Sequence, residues 1–262
     1  MRHPEFGKKQ ILTQAGDDLG RGLNDCRPIS LDPLSDRTII DVREWMKKCE
    51  DERDGSHKIC SLSEDAFVPT RVIKIIASEQ GLHLRLIRGK DIEEHDTSGF
   101  MALSYCWGGD QPKQLMRNNL DSYKTDIPWK TLPKTLQDAA TTAQALGFHY
   151  VWVDSMCIIQ DSEEDKAVEI SQMTQVYAHA RLTVMARRGG RVTDGFLHSR
   201  ALPSGTSSIK LQTNDGQTQR IILTFRAALE EEENLALNTR GWTMQEHILS
   251  RHLLIIGTWV TE

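Results

Sequence analysis

The chain has 262 residues, 39% hydrophobic and 26% charged, with a net charge of -5 and a mean hydropathy of -0.45. No apolar run approaches the ~20 residues a membrane-spanning helix needs, so no membrane span is expected. The acidic balance, with no basic stripe and no interleaved aromatic platform, argues against nucleic acid as the main partner.

Lys8 and Lys9 are not followed by an apolar core, so the N-terminus does not read as a secretory signal. Five widely spread cysteines (Cys26, Cys49, Cys60, Cys106 and Cys157) form no disulfide framework and fit a reducing, cytoplasmic setting. Residues 1–35 lack periodicity and read as an irregular lead. From Ser35 or Asp36 as N-cap, Ile39, Ile40, Val42, Trp45, Met46 and Cys49 recur at helical spacing. Cys49, His57 and Cys60 depart from zinc-ligand spacings, and buried thiols with a local histidine are expected there instead of a metal.

The segments 69–76 and 82–87 are short apolar runs around a glycine-containing turn and predict a β-hairpin. The run 100–105 is a buried-strand candidate that empties into Cys106-Trp107-Gly108-Gly109. The paired glycines there mark either a ligand-facing loop or an ordinary strand exit anchored by Trp107. A helix follows over 132–146, with Thr131 near Pro133 as its candidate N-cap and Leu136, Ala139, Ala140, Ala143 and Leu146 inward. Gly147 ends it.

Tyr150-Val151-Trp152-Val153 is apolar throughout, as suits a parallel strand covered on both faces, and Asp154 stands at its carboxyl end, where open parallel sheets bind ligands. A second helix over 163–179 has acidic residues in its first turn and a core face of Ile170, Met173, Val176 and Tyr177. Strand 182–186 comes next, then a loop-rich insertion over 187–219, a strand over 219–225 and a solvated acidic face at 230–233. A short helix near 242–246 and a last strand over 251–257 complete the chain. The alternation predicts an α/β fold with a mostly parallel, flavodoxin-like sheet. An N-terminal helix and hairpin (36–98) would flank a core over 99–262.

Three blocks carry a resemblance: Ala102-Leu103-Ser104-Tyr105-Cys106-Trp107-Gly108, the stretch 150–161, and Arg240-Gly241-Trp242-Thr243-Met244-Gln245-Glu246. In this order they resemble the fungal heterokaryon incompatibility (HET) domain, with His252 standing where the family pattern usually has an arginine. The resemblance implies a cell-death effector in non-self recognition, distantly similar to TIR domains. In enzymatic TIR domains a glutamate four residues after a tryptophan supports cleavage of NAD. Trp242 and Glu246 keep that spacing, with Thr243 in place of a cysteine.

The resemblance therefore implies Glu246 as the catalytic residue. It further implies a substrate site formed by Ser104, Tyr105, Cys106, Trp107, Gly108, Asp154, Cys157 and Trp242, with NAD as substrate, no cofactor and no metal. Assembly into a homo-oligomer is expected of the active form. Bland readings stand beside these. Thr243-x-x-Glu246 is also a capping box, Asp154 can cap the following loop, and Cys157 can be a buried packing residue. The alternative function is a non-catalytic module that signals by self-association, and the recognition partner is not readable from the residues.

Overall fold

The computed structural model describes residues 9–14, 28–51, 67–93, 95–201, 207–212, 218–225 and 241–257. Strands β1 (Lys9–Gln14) and β2 (Pro28–Ile29) precede helix α1 (Asp36–Asp51). Then come β3 (Arg71–Ser78), β4 (Gly81–Arg88) and β5 (Phe100–Tyr105). Helices α2 (Leu120–Thr125) and α3 (Lys134–Leu146) lead to β6 (Tyr150–Trp152). The short α4 (Asp154–Cys157), α5 (Glu163–His179) and β7 (Leu182–Ala186) follow. Strands β8 (Ser207–Gln212) and β9 (Thr218–Phe225), helix α6 (Gly241–Leu249) and β10 (Leu253–Ile256) end the described chain.

The main sheet has six strands in the order β10-β7-β5-β6-β3-β4. The run β10, β7, β5, β6 is parallel, while β3 joins β6 and β4 joins β3 antiparallel. The expected hairpin is thus present, and it extends the central sheet at its β6 edge. From β5 the chain moves outward to β6, then returns past β5 to β7 and β10, so the strand order reverses between β5 and β7. Because β5 to β6 and β6 to β7 run in opposite directions across the sheet, the right-handed rule for such connections calls for α3 and α5 on opposite faces. This two-sided cover explains why β5 and β7 are buried at every residue and why both read as continuous apolar runs.

Register sets the faces. Ala102 sits between Trp152 and Thr183, so Ala102, Ser104, Trp152, Thr183 and Met185 point to one side. α5 packs there, with the Trp152 and Tyr177 rings edge to face at 5.8 Å and the Tyr177 hydroxyl donating to the Leu103 carbonyl at 3.3 Å. Tyr177 is therefore the core residue its spacing predicts. α3 packs on β3, β5 and β6. α1 joins α3 through the Arg43 guanidinium on the Ala145 carbonyl (2.6 Å). Glu50 at the far end of α1 accepts a fork from Arg181 at 2.7 and 2.9 Å.

Several local expectations change. In α1 the inward residue is Val42, with Ile39 and Met46 partly covered, whereas Ile40 and Trp45 are 49% and 56% exposed. Thr131 does not cap α3: it closes a separate 3-10 turn (Trp129–Thr131), and Pro133 with φ -58 leads into the helix. Gly147 ends α3 at φ 90, as expected. Ser162 caps α5, accepting from the Asp165 amide at 3.3 Å.

A second sheet of four strands, in the order β2-β1-β9-β8, uses segments read from sequence as irregular. β1 lies inside the expected lead and pairs antiparallel with β9, and β8 lies inside the expected insertion. His57 and Cys60 of the metal reading, and the acidic run 230–233, lie outside the described residues. Among the described residues no cluster of three His, Cys, Asp or Glu groups could hold a metal.

Candidate functional site

The carboxyl ends of β5 and β6 are latched by side chains. The Tyr105 hydroxyl donates to Gln111 Oε1 (3.1 Å) and shares a second hydrogen bond with Ser155 Oγ (2.8 Å). The Trp107 indole donates to Asp154 Oδ2 at 2.9 Å, and Asp154 Oδ1 accepts from the Ser155 amide at 2.6 Å. Gln111 Nε2 in turn donates to the Trp107 and Gly109 carbonyls at 3.0 and 3.4 Å. Apolar strands deliver these groups to one rim, and the hydrogen bonds satisfy polar atoms that burial removes from water.

The loop after β7 closes over the β5 exit. Val192 donates its amide to the Trp107 carbonyl at 3.3 Å. The buried Asp138 of α3 accepts from the Phe196 and Leu197 amides at 2.8 and 3.1 Å, pinning the same loop from behind. Gly108 adopts φ +67, and a Cβ there would come 2.4 Å from the Gly190 carbonyl oxygen and 2.6 Å from Arg191 Cα. Its lack of a side chain serves contact with this loop, while Gly109, at φ +125, faces open space.

Gly108→Ala should therefore cost about 3 kcal/mol, combining a left-handed backbone penalty with overpacking against backbone. Gly109→Ala should cost about 1–2 kcal/mol from the backbone alone. Urea titration of both variants checks the ordering, and an equal loss would mean the 190–191 backbone yields freely.

Glu246 reaches the same region from α6. Its carboxylate accepts a short hydrogen bond from Ser104 Oγ, and both side chains are buried. The capping box does not form. α6 begins at Gly241, so Thr243 lies within the first turn, and its buried hydroxyl has no hydrogen-bond partner among the described residues. Trp152 Nε1, on the face of the sheet that Ser104 also faces, is likewise buried without a hydrogen-bond partner among the described residues. Among these groups, one ionisable carboxylate meets one neutral hydroxyl in a water-poor layer at the penultimate residue of β5.

Of the expected site residues, Ser104, Tyr105, Cys106, Cys157 and Glu246 are all buried. Cys157 is fully buried, and burial pushes its thiol up to about 12, so it is protonated and has no surface to offer a ligand. Cys106 packs with Met185 and Ile255 in a small apolar cluster. The side chain of Trp242 lies outside the described residues. Ser104 and Glu246 come together, as do Tyr105, Trp107 and Asp154. Gln111, Ser155 and Asp138 were missed in the sequence. Only Asp138 leaves a trace there, as a carboxylate set among the inward alanines of α3.

Comparison with known families gives one finding: the model described as heterokaryon incompatibility protein (HET) matches residues 100–246. No curated protein and no solved structure matches the chain. The matched span runs from the first residue of β5 to Glu246 and covers more than half of the 262 residues. It takes in both latched strand ends and the Ser104–Glu246 pair, and the chain belongs to the heterokaryon incompatibility (HET) family.

Proposed function

We propose that the chain is a fungal cell-death effector in non-self recognition, and that its domain kills by TIR-like hydrolysis of NAD, with Glu246 as the catalytic carboxylate. The observation that supports this reading is the buried Ser104–Glu246 pair, held at the carboxyl half of a central parallel strand. The reversal of strand order between β5 and β7 supports the location, because ligands of open α/β sheets bind at the strand ends beside such a point.

In the proposed reaction the bond between ribose C1′ and the nicotinamide nitrogen breaks, and its electron pair leaves with nicotinamide. Positive charge develops on the ribose. An anionic Glu246 stabilises that charge and accepts hydrogen bonds from ribose hydroxyls. Water then adds at C1′ and releases a proton, giving ADP-ribose. Trp107, partly exposed, provides aromatic surface at the rim, Asp154 orients its indole, and the buried Tyr105 braces the loop behind it. The decisive assay follows nicotinamide release from NAD by the purified protein at several concentrations, with Glu246→Gln alongside.

A second reading, signalling by self-association without chemistry, is favoured by one feature of the same helix. Met244 and Ile248 stand one turn apart on the outer side of α6, 69% and 65% exposed. Exposed apolar groups at that spacing suit contact with a second copy. The M244K/I248K double variant should shift light-scattering mass to the monomer and abolish killing, with its melting temperature unchanged. Wild-type mass and wild-type killing would remove this surface from the reading.

A further inference from the structure

The same sheet carries a cavity that none of the residues above occupies. It measures about 560 Å³ and lies between the edge strand β4 and α2. The volume falls within the range of small-ligand sites. β4 pairs on one side with β3, and on the other a bridge to Ile127, whose amide donates to the Leu84 carbonyl at 2.7 Å, closes only part of its edge. Since β3 runs antiparallel to β6, Arg71 and the cavity sit at the same rim of the sheet as the carboxyl end of β6.

The lining has four cationic side chains (Arg71, Arg85, Arg88 and Lys124) against one carboxylate, Asp91, in a chain whose net charge is -5. The hairpin register sets Arg71 directly opposite Arg88, an arrangement that like-charge repulsion disfavours. Arg71 is held by acidic partners behind it, Asp165 at 2.6 Å and Glu169 at 3.2 Å. Arg88 pairs with Asp91 at 2.7 Å and Lys124 with Asp121 at 2.8 Å, and both pairs are exposed. Arg85 has no acidic partner among the described residues. Exposed pairs of this kind are weak, so an incoming dianion displaces them, and guanidinium forks match phosphate oxygens. Ile87 and Leu120 give the cavity apolar wall that a bare ion would leave unused.

We infer that this cavity is a second ligand site, for a small organic phosphate of mononucleotide size: its apolar body lies against Ile87 and Leu120, and its phosphate meets Arg85, Arg88 and Lys124. The inference stands apart from NAD hydrolysis, because none of these residues belongs to the strand-end site. Titration calorimetry of the full chain with AMP, adenosine and inorganic phosphate tests it. AMP should bind about tenfold or more tightly than either fragment, and R85A/R88A and Lys124→Glu should each weaken AMP about tenfold. Both variants alter exposed residues, and unchanged melting temperatures establish that they fold. AMP binding that survives both variants, or no AMP binding by the wild type, overturns the site. Inorganic phosphate binding as tightly as AMP overturns its organic part.

Discussion

Arg71→Ala is expected to lower the melting temperature by roughly 10 °C, the equivalent of about 3–5 kcal/mol in a domain of this size. The Arg71 guanidinium joins three elements: Nε donates to the Cys157 carbonyl at 2.6 Å, and Nη2 meets both Asp165 at 2.6 Å and Glu169 at 3.2 Å. Asp165 also accepts from the Ile159 amide at 2.8 Å, so the whole turn between α4 and α5 hangs on this cation. Glu169 is only 3% exposed, and truncating Arg71 leaves it buried with its Thr70 hydrogen bond but no cation opposite it. Arg71→Lys should recover part of the loss, since an ammonium replaces the charge but not the fork.

The pH dependence has a definite sign. Burial raises the Glu169 pKa, against the lowering influence of Thr70 and Arg71. A folded-state pKa above the unfolded value favours folding below the unfolded pKa, and that contribution is lost as pH rises through the folded pKa. Removing Arg71 removes a lowering influence, so the variant's deficit should shrink as pH falls from neutral toward 5. Thermal melts of both proteins at matched pH measure it, and a gap that widens on acidification would show that Glu169 is not the group left uncompensated.

The parallel core was legible because its information is local. Tyr150 to Val153 and Leu182 to Ala186 are apolar on both faces, and only double cover by helices accommodates that. β1 was not legible, since Lys9–Gln14 becomes a strand only by pairing with β9 more than 200 residues later, and six residues of mixed polarity carry no trace of that partner. At the site, strand ends were readable and loop partners were not. Trp107 and Asp154 each end an apolar run, while Gln111 and Ser155 acquire their roles only when β5 and β6 lie side by side. Thr243-x-x-Glu246 misled for a related reason. A capping box needs its threonine outside the helix, whereas α6 starts two residues earlier and the Glu246 carboxylate accepts from Ser104.

That outcome makes Glu246→Gln the most informative substitution in the chain. A glutamine keeps the volume, and its amide oxygen accepts the hydrogen bond from Ser104, so the melting temperature should stay within a few degrees of wild type. Glu246→Ala should instead cost about 1–3 kcal/mol, because Ser104 is left buried without this acceptor. If the carboxylate stabilises a cationic ribosyl transition state, losing its charge should slow nicotinamide release about 100-fold or more, with KM changed little. In cells the same substitution should abolish killing at wild-type protein levels. Equal release by the two proteins would exclude Glu246 as the catalytic residue. No release from the wild type at any concentration, together with undiminished killing by Glu246→Gln, would exclude the chemistry and leave the Met244–Ile248 face of α6 as the carrier of the signal.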